Sequence, residues 1–320
     1  MTASDRTRTV SPAHFWIGET RSEEPCLVVD LMRGEVWPDR PVLPPCPVIG
    51  LGPQDALGAE FVDAIIEAPA ALEVVLAQIE ANPLAASVVV QLLRILPELD
   101  LAAGLVAESL AYATLQGSAE HKRWLAATGA RGDPAEAGFV QVERIADVLD
   151  VTLDRPLSDN AIDRPMRDGL YEAFQLAAVD RSIERVVLRA KGKAFSLGAD
   201  LDEFGTTSDP ATAHAIRSAT LPAHMAMHIA DRLEVRVQGA CAGSGLELAA
   251  FASRIVAGPK AWFQLPELSM GILPGAGGCV SLTRRIGRQR AALLILSGKR
   301  VSARTALEWG LVDDLVDDPA

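Results

Sequence analysis

RVVLRAKGKAFSLGADLDEF, residues 185–204, runs a β-branched apolar segment directly into a loop of small residues. Arg185–Ala190 is short, rich in Val and Leu, and closed by Lys191-Gly192, which predicts a buried strand. Toward the N-terminus, Met166–Ala178 has helical periodicity and Val148–Leu153 (VLDVTL) reads as a further strand. Toward the C-terminus the pattern predicts a helix over about Thr212–Arg232 and a strand at Glu234–Val237. Gly245–Ala252 then reads as a helix, Arg254–Ala257 as a strand, and Gly278–Ile286 and Ala291–Leu296 as helices. Strands alternating with helices predict a layered α/β fold.

Before Val148 the pattern differs. Thr128–Gly138 (TGARGDPAEAG) is small, polar and turn-forming, and marks a boundary between residues 1–138 and 139–320. The front region is α/β at first and then helical. Cys26–Leu31 and Val48–Leu51 read as short strands, separated by the stiff Pro41–Pro47 connector. Asn82-Pro83 predicts a helix start with Asn82 as cap. Leu99, Ala103, Val106, Leu110 and Ala113, spaced 4-3-4-3, predict the buried face of a further helix. Gly117-Ser118 breaks it, with Ser118 capping a short helix through Trp124 and Leu125.

The 320 residues carry 30 Lys+Arg against 42 Asp+Glu, a net charge of −12, and 49% are apolar. That excludes a disordered chain or a disulfide mini-protein and argues against phosphate-backbone binding of nucleic acid. Residues 1–140 hold 9 basic and 19 acidic side chains, so nearly all the charge lies in front. An anionic ligand is therefore expected in the second part. Cys26, Cys46, Cys241 and Cys279 form no C-x-x-C pair and read as buried thiols in a reducing compartment. The N-terminus lacks a secretory apolar stretch, and no 18-residue apolar run predicts a membrane span, so a cytoplasmic location is expected.

Three loops combine glycine with small residues: Lys193–Phe204, Val237–Ala249 (VQGACAGSGLELA) and Phe263–Gly278 (FQLPELSMGILPGAGG). Each exposes backbone N–H groups at a turn or helix start, where they can stabilise developing negative charge, although turn formation alone also explains such loops. No dinucleotide fingerprint, phosphate-binding P-loop or G-x-S-x-G elbow is present. His224 and His228 are four apart, but no third ligand completes a metal pattern, and none is expected. Arg284, Arg285, Arg288 and Arg290 read as a charged helix end, and Lys191 as a solvated lysine.

Taken in order, these segments resemble the crotonase, or enoyl-CoA hydratase/isomerase, superfamily. The resemblance runs from VTLDRPLSDNAID (151–163) through KAFSLGADL, GSGLELA and LPELSMGILPGAGG to SGKRVSARTALEWGLVDDLV (297–316). It implies an α/β core of ββα repeats that binds an acyl-CoA thioester, with no cofactor besides the coenzyme A of the substrate. It also implies a homo-oligomer, trimer or hexamer. The resemblance places Leu197 and Ser244 as main-chain oxyanion donors and Glu247 and Glu267 as catalytic carboxylates, Glu247 acting on water and Glu267 donating a proton. Lys193, Ala194, Phe195, Gly198, Ala199, Asp200, Gly243 and Gly245 are then expected around the substrate.

Hydration of a 2-enoyl-CoA is the reaction expected first. Isomerisation, decarboxylation, hydrolysis, cofactor-free oxygenation and non-catalytic acyl-CoA binding are the alternatives. The chain departs from the family pattern at Ala252-Ser253, where Cys-Asp is usual, and at Leu233–Val237, which lacks the usual Lys-Pro. The family continues into C-terminal helices past the point that Val316 occupies. Asp100–Ala127 resembles such helices, so residues 83–127 are expected to supply them in permuted order as a helical lid. An unrelated N-terminal domain is the competing expectation.

Overall fold

A computed structural model describes residues 8–15, 24–128 and 136–319. The front begins with four short parallel strands paired in chain order: β1 (Arg8–Thr9), β2 (Leu27–Asp30), β3 (Val48–Leu51) and β4 (Ala64–Ile65). Phe15, Trp37 and Phe61 stack beside this sheet at 5.2 Å between neighbouring rings. Helices α1 (Leu72–Ala81), α2 (Pro83–Ile95), α3 (Leu101–Gln116) and α4 (Ala119–Thr128) follow. The predicted boundary falls largely on residues 129–135, outside the described residues.

After it come the antiparallel hairpin β5 (Phe139–Ile145) and β6 (Val148–Asp154), then α5 (Arg164–Val179) and β7 (Arg185–Ala190). Helices α6 (Pro210–Thr220) and α7 (Ala223–Ile229) lead into β8 (Leu233–Val237), β9 (Ala240–Ala242), α8 (Ser244–Ala249), β10 (Arg254–Ala257) and β11 (Trp262–Gln264). The chain continues through α9 (Gly278–Ile286), α10 (Arg288–Ser297), β12 (Val301–Ser302), α11 (Ala303–Glu308) and β13 (Asp314–Leu315). One sheet has the order β13-β10-β8-β7-β6-β5 and is parallel except for its β5 edge; a second has the order β12-β11-β9. The α/β alternation expected for the second part is therefore present.

The two parts share one core. Val75, Ile79, Val89 and Leu93 of the front helices belong to the same buried apolar cluster as Leu293 and Leu294 of α10. Arginines from the predicted charged helix end fasten the seam. Asp63, buried beside β4, receives both Arg94 of α2 (2.6 Å) and Arg288 of α10 (3.2 Å), while Arg290 pairs with Glu67 at 2.8 Å.

Three local expectations are corrected. The helix over Thr212–Arg232 is two helices, because Pro222 brings no N–H and leaves Leu221 extended at φ −69°, ψ 126°. Asn82 does not cap α2 with its side chain. The Glu120 carboxylate of α4 does, accepting the N–H groups of Leu84 (2.8 Å) and Ala85 (2.9 Å), while Asn82 Oδ1 accepts from Arg123. The third correction concerns α3, whose predicted face is the wrong one: Val106 and Leu110 are 47% and 51% exposed. An equal 4-3-4-3 spacing runs through Leu101, Leu105, Glu108, Tyr112 and Leu115, and this is the face turned inward, with Leu105, Glu108 and Leu115 fully enclosed. Ser118, by contrast, caps α4 as expected, its hydroxyl accepting the His121 N–H at 3.1 Å.

Candidate active site

The glycine-containing loops converge on one cleft of about 570 Å³, closed on its far side by α3, α4 and α6. Leu197, Gly198, Ala199, Asp200, Gly243, Ser244, Glu247 and Glu267 all line it. The backbone allows two of the loops to meet. Gly198 adopts φ +98°, and a Cβ on it would lie 3.1 Å from the Ala242 carbonyl and 3.3 Å from the Ser244 nitrogen. Gly243 adopts φ +47°, and a Cβ there would press to 2.9 Å from Glu267 Oε1. Only glycine suits both positions.

Loop 193–204 is anchored by paired strands on either side. Phe195 N–H donates to Gln238 O, Ser196 N–H to Ala240 O, and Leu197 N–H to Asp159 O at 3.1 Å. That last bond corrects the expectation for Leu197, whose donor is already spent and whose side chain is 44% exposed. Gly198 N–H is also spent, on Ser196 Oγ. Ala199 N–H has no acceptor among the described residues, and neither has Ser244 N–H at the start of α8. Ala199 and Ser244 thus bring free N–H groups to the cleft lining. The Ser244 hydroxyl itself is buried without a partner.

Other expected contacts are placed elsewhere. Ala194 and Phe195 are buried under the loop and Gly245 packs against Ser196, so none of these three faces the cleft. Lys193 is exposed, does not line the cleft, and pairs with Asp159 at 3.4 Å. Asp200 reaches the cleft but commits its carboxylate to Arg155 at 2.5 Å. Lys191 pairs with Asp154.

The two glutamates differ in their surroundings. Glu247 Oε2 accepts the N–H groups of Ala276 (2.6 Å) and Gly278 (2.9 Å). Burial pushes its pKa up to about 7, and those two donors pull against the rise. Glu267 Oε2 is buried with no partner. Burial raises its pKa well above the usual carboxylate range, and the negative charges of Glu247 and Glu108 raise it further. Both carboxyls are raised, but the two donors leave Glu247 the more readily ionised and Glu267 the more readily protonated, a difference of the kind acid–base chemistry can use.

Sequence reasoning did not single out the side chains Glu108, Tyr112, His121 and Arg217 of the far wall. Glu108 is 1% exposed, and its Oε1 and Oε2 accept the N–H groups of Gly277 (2.6 Å) and Val280 (3.2 Å). Tyr112, His121 and Arg217 line the cleft, with the Arg217 guanidinium 4.4 Å above the Tyr112 ring. His121 Nδ1–H donates to Met270 O (2.9 Å), and the ring stacks on Trp124. The available signal was Glu108 and Tyr112 four apart in a helix otherwise made of small and apolar residues. Among the described residues no group of His, Cys, Asp or Glu could hold a metal ion, and no single helix is long and apolar enough to cross a membrane.

The second part of the chain is similar to known proteins. A family model described as enoyl-CoA hydratase/isomerase matches residues 143–319. The 2,3-dehydroadipyl-CoA hydratase of Escherichia coli K12 is 36% identical over 174 residues, 54% of this chain and 68% of that one. The mitochondrial enoyl-CoA hydratase of Pongo abelii is 34% identical over 165 residues, 52% of this chain and 56% of its own. The chain therefore spans little more than half to two thirds of these relatives' length. Among solved structures, an enoyl-CoA hydratase from Thermoplasma volcanium superposes with a TM-score of 0.51 at 36% identity, covering 56% of this chain and 72% of that one. Pseudomonas aeruginosa DspI superposes at 0.52 with 30% identity, over 59% and 72%.

Proposed function

The chain belongs to the enoyl-CoA hydratase/isomerase family, and from that premise we propose that it adds water to a 2-enoyl-CoA, giving a 3-hydroxyacyl-CoA. The observation that carries this reading is the unlike pair on one cleft: Glu247 held by two N–H donors, Glu267 with a buried oxygen and no partner.

The thioester carbonyl takes the Ala199 and Ser244 N–H groups, and each such donor contributes about 2.7–4 kcal/mol when charge develops on that oxygen. Glu247 removes a proton from water, and the water oxygen bonds to the β-carbon. The alkene pair moves toward the carbonyl as an enolate, and Glu267 protonates the α-carbon. Proton return from Glu247 to Glu267 through a following water restores the site, so no redox partner is needed. Coenzyme A enters as part of the substrate, and no other cofactor is required.

We extend the reading to the lid. Helices within 83–127 close the cleft that Glu247 and Glu267 line, consistent with a permuted origin for them. A cytoplasmic location is proposed as well and, by family likeness, a homo-oligomer, trimer or hexamer.

The test is mass spectrometry after incubation with 2-enoyl- and 3-enoyl-CoA esters of several lengths. Gain of water by a 2-enoyl ester is expected. An isobaric shift of the double bond alone would replace the reading with isomerisation through Glu267. Loss of carbon dioxide, release of free CoA or uptake of oxygen would replace it with those reactions. Tight binding without turnover, unchanged in Glu247→Gln and Glu267→Gln, would replace it with a non-catalytic acyl-CoA subunit.

A further inference from the structure

Glu108 comes from outside the matched segment 143–319, yet it ends inside the site. Its two bonds interleave with those of Glu247. The N–H groups of Ala276 and Gly278 go to Glu247, and those of Gly277 and Val280, from the same loop and first turn of α9, go to Glu108. The partners of Glu108 are all N–H donors, so a proton on this carboxyl would find no acceptor among the described residues. Burial and the Glu247 charge raise the Glu108 pKa well above the usual carboxylate range, and the N–H groups of Gly277, Val280 and Cys279 pull it back toward the carboxylate form. Three buried carboxyls cannot all be charged at close range, and the member held by the fewest donors is the one to keep the proton. That member is Glu267, whose Oε2 has no partner.

Resting on the hydratase reading above, we propose that Glu108 is a positioning residue, fixing the loop that grips Glu247 and supplying the charge that holds the proton on Glu267. The groups that interact with this cluster are Tyr112 on the same helix, Arg217 of α6 and the Cys279 thiol of α9, while His121 of α4 lines the same cleft and His214 of α6 and His224 of α7 lie on the helices packed against α3. Arg217 is tied to Ser109 and Gln116 rather than to any of the three carboxyls, and His214 Nδ1 is tied to the Ser109 hydroxyl. Burial lowers the pKa of His121 and His224 and raises that of Cys279, so none of the three brings a countercharge at neutral pH.

The sign follows directly. A general acid works below its pKa, so the rate falls as pH rises through the Glu267 value. Removing the Glu108 charge lowers that value and moves the basic limb of kcat/KM toward acid, by roughly one pH unit for a close like charge. The experiment compares pH profiles of wild type, Glu108→Gln and Glu108→Asp with a short-chain 2-enoyl-CoA. In Glu108→Gln the basic limb shifts by that amount, so the loss is about tenfold larger above the limb than below it. In Glu108→Asp, which keeps the charge, the limb stays in place while the rate falls at every pH. Equal loss at all pH values in Glu108→Gln, with limbs unmoved, would overturn the proposal and leave Glu108 a structural clamp.

Infrared difference spectra of the protonated Glu267 carboxyl, assigned with Glu267→Gln, follow the same proton without turnover. A shifted infrared titration beside an absence of hydration would reject the hydratase reading and keep the placement of the proton. An unshifted titration in a folded Glu108→Gln protein rejects the placement itself.

Discussion

The front helices and the α/β part that follows bury their faces for different reasons. In the α/β part, β7 is buried on both faces and β8 on one, and their buried residues are the apolar ones. In the front part, α3 turns a carboxylate and a tyrosine inward and leaves Val106 and Leu110 to the surface. Leaving the Gly277 and Val280 N–H groups buried and unpaired would cost about 1–3 kcal/mol each, comparable with the 1.5–3 kcal/mol from covering one Val or Leu. When two helix faces are about equally apolar, the polar partner decides. A region that carries its own repeat pattern orients itself, whereas one that closes another region's site is oriented by that site.

The largest test of this division lies in the α/β part. Glu267→Gln keeps shape and removes the transferable proton, so kcat/KM for hydration should fall by about 10²–10⁴-fold. Chemical stability at neutral pH should hold, because a neutral amide replaces a carboxyl kept neutral by its surroundings. Measured together, a rate loss of that size with an unchanged denaturant midpoint supports the assignment. A variant that keeps full rate would take Glu267 out of the chemistry.

The seam between the two regions comes next. Asp63 accepts Val48 N–H at 2.8 Å and both Arg94 and Arg288, from opposite sides of the boundary. Asp63→Asn removes the charge and leaves two partly buried guanidinium groups without it, a loss of about 3–5 kcal/mol for a buried pair broken on one side. Urea unfolding should show one cooperative transition in wild type and an earlier one in the variant. Separate transitions for residues before and after the boundary, already in wild type, would show that the shared core does not couple the regions.

These differences track what the sequence makes legible. The strands at 148–154 and 185–190 follow from local apolar runs, and helix α9 from a run bounded by Gly278 and Gly287. Glu247 and Glu267 were reached through the wording of their loops. Leu197 was misassigned because a donor's availability depends on Asp159, thirty-eight positions away by number, rather than on the loop itself. Glu108 was missed because α3 carries two faces of equal 4-3-4-3 spacing, and periodicity has no means of choosing between them. The break at Pro222 was readable locally, from the missing N–H, and was passed over in favour of a long helical period.

The smallest expected effect concerns another long-range partner. Helix α2 begins at Pro83, and its first free N–H groups, on Leu84 and Ala85, point at the Glu120 carboxylate of α4 rather than at a cap beside them in sequence. A carboxylate at a helix N-terminus gains from the helix dipole as well as from the two bonds. Glu120→Ala should therefore cost about 1–2 kcal/mol, read as a lower urea midpoint. Asn82→Ala should act through Arg123, which it accepts from, and not through the α2 cap. Amide exchange at Leu84 and Ala85 distinguishes the two: it should quicken in Glu120→Ala and stay slow in Asn82→Ala. Equal protection in both variants would mean that α2 is held by its packing against α3 and α10, with the borrowed cap adding nothing.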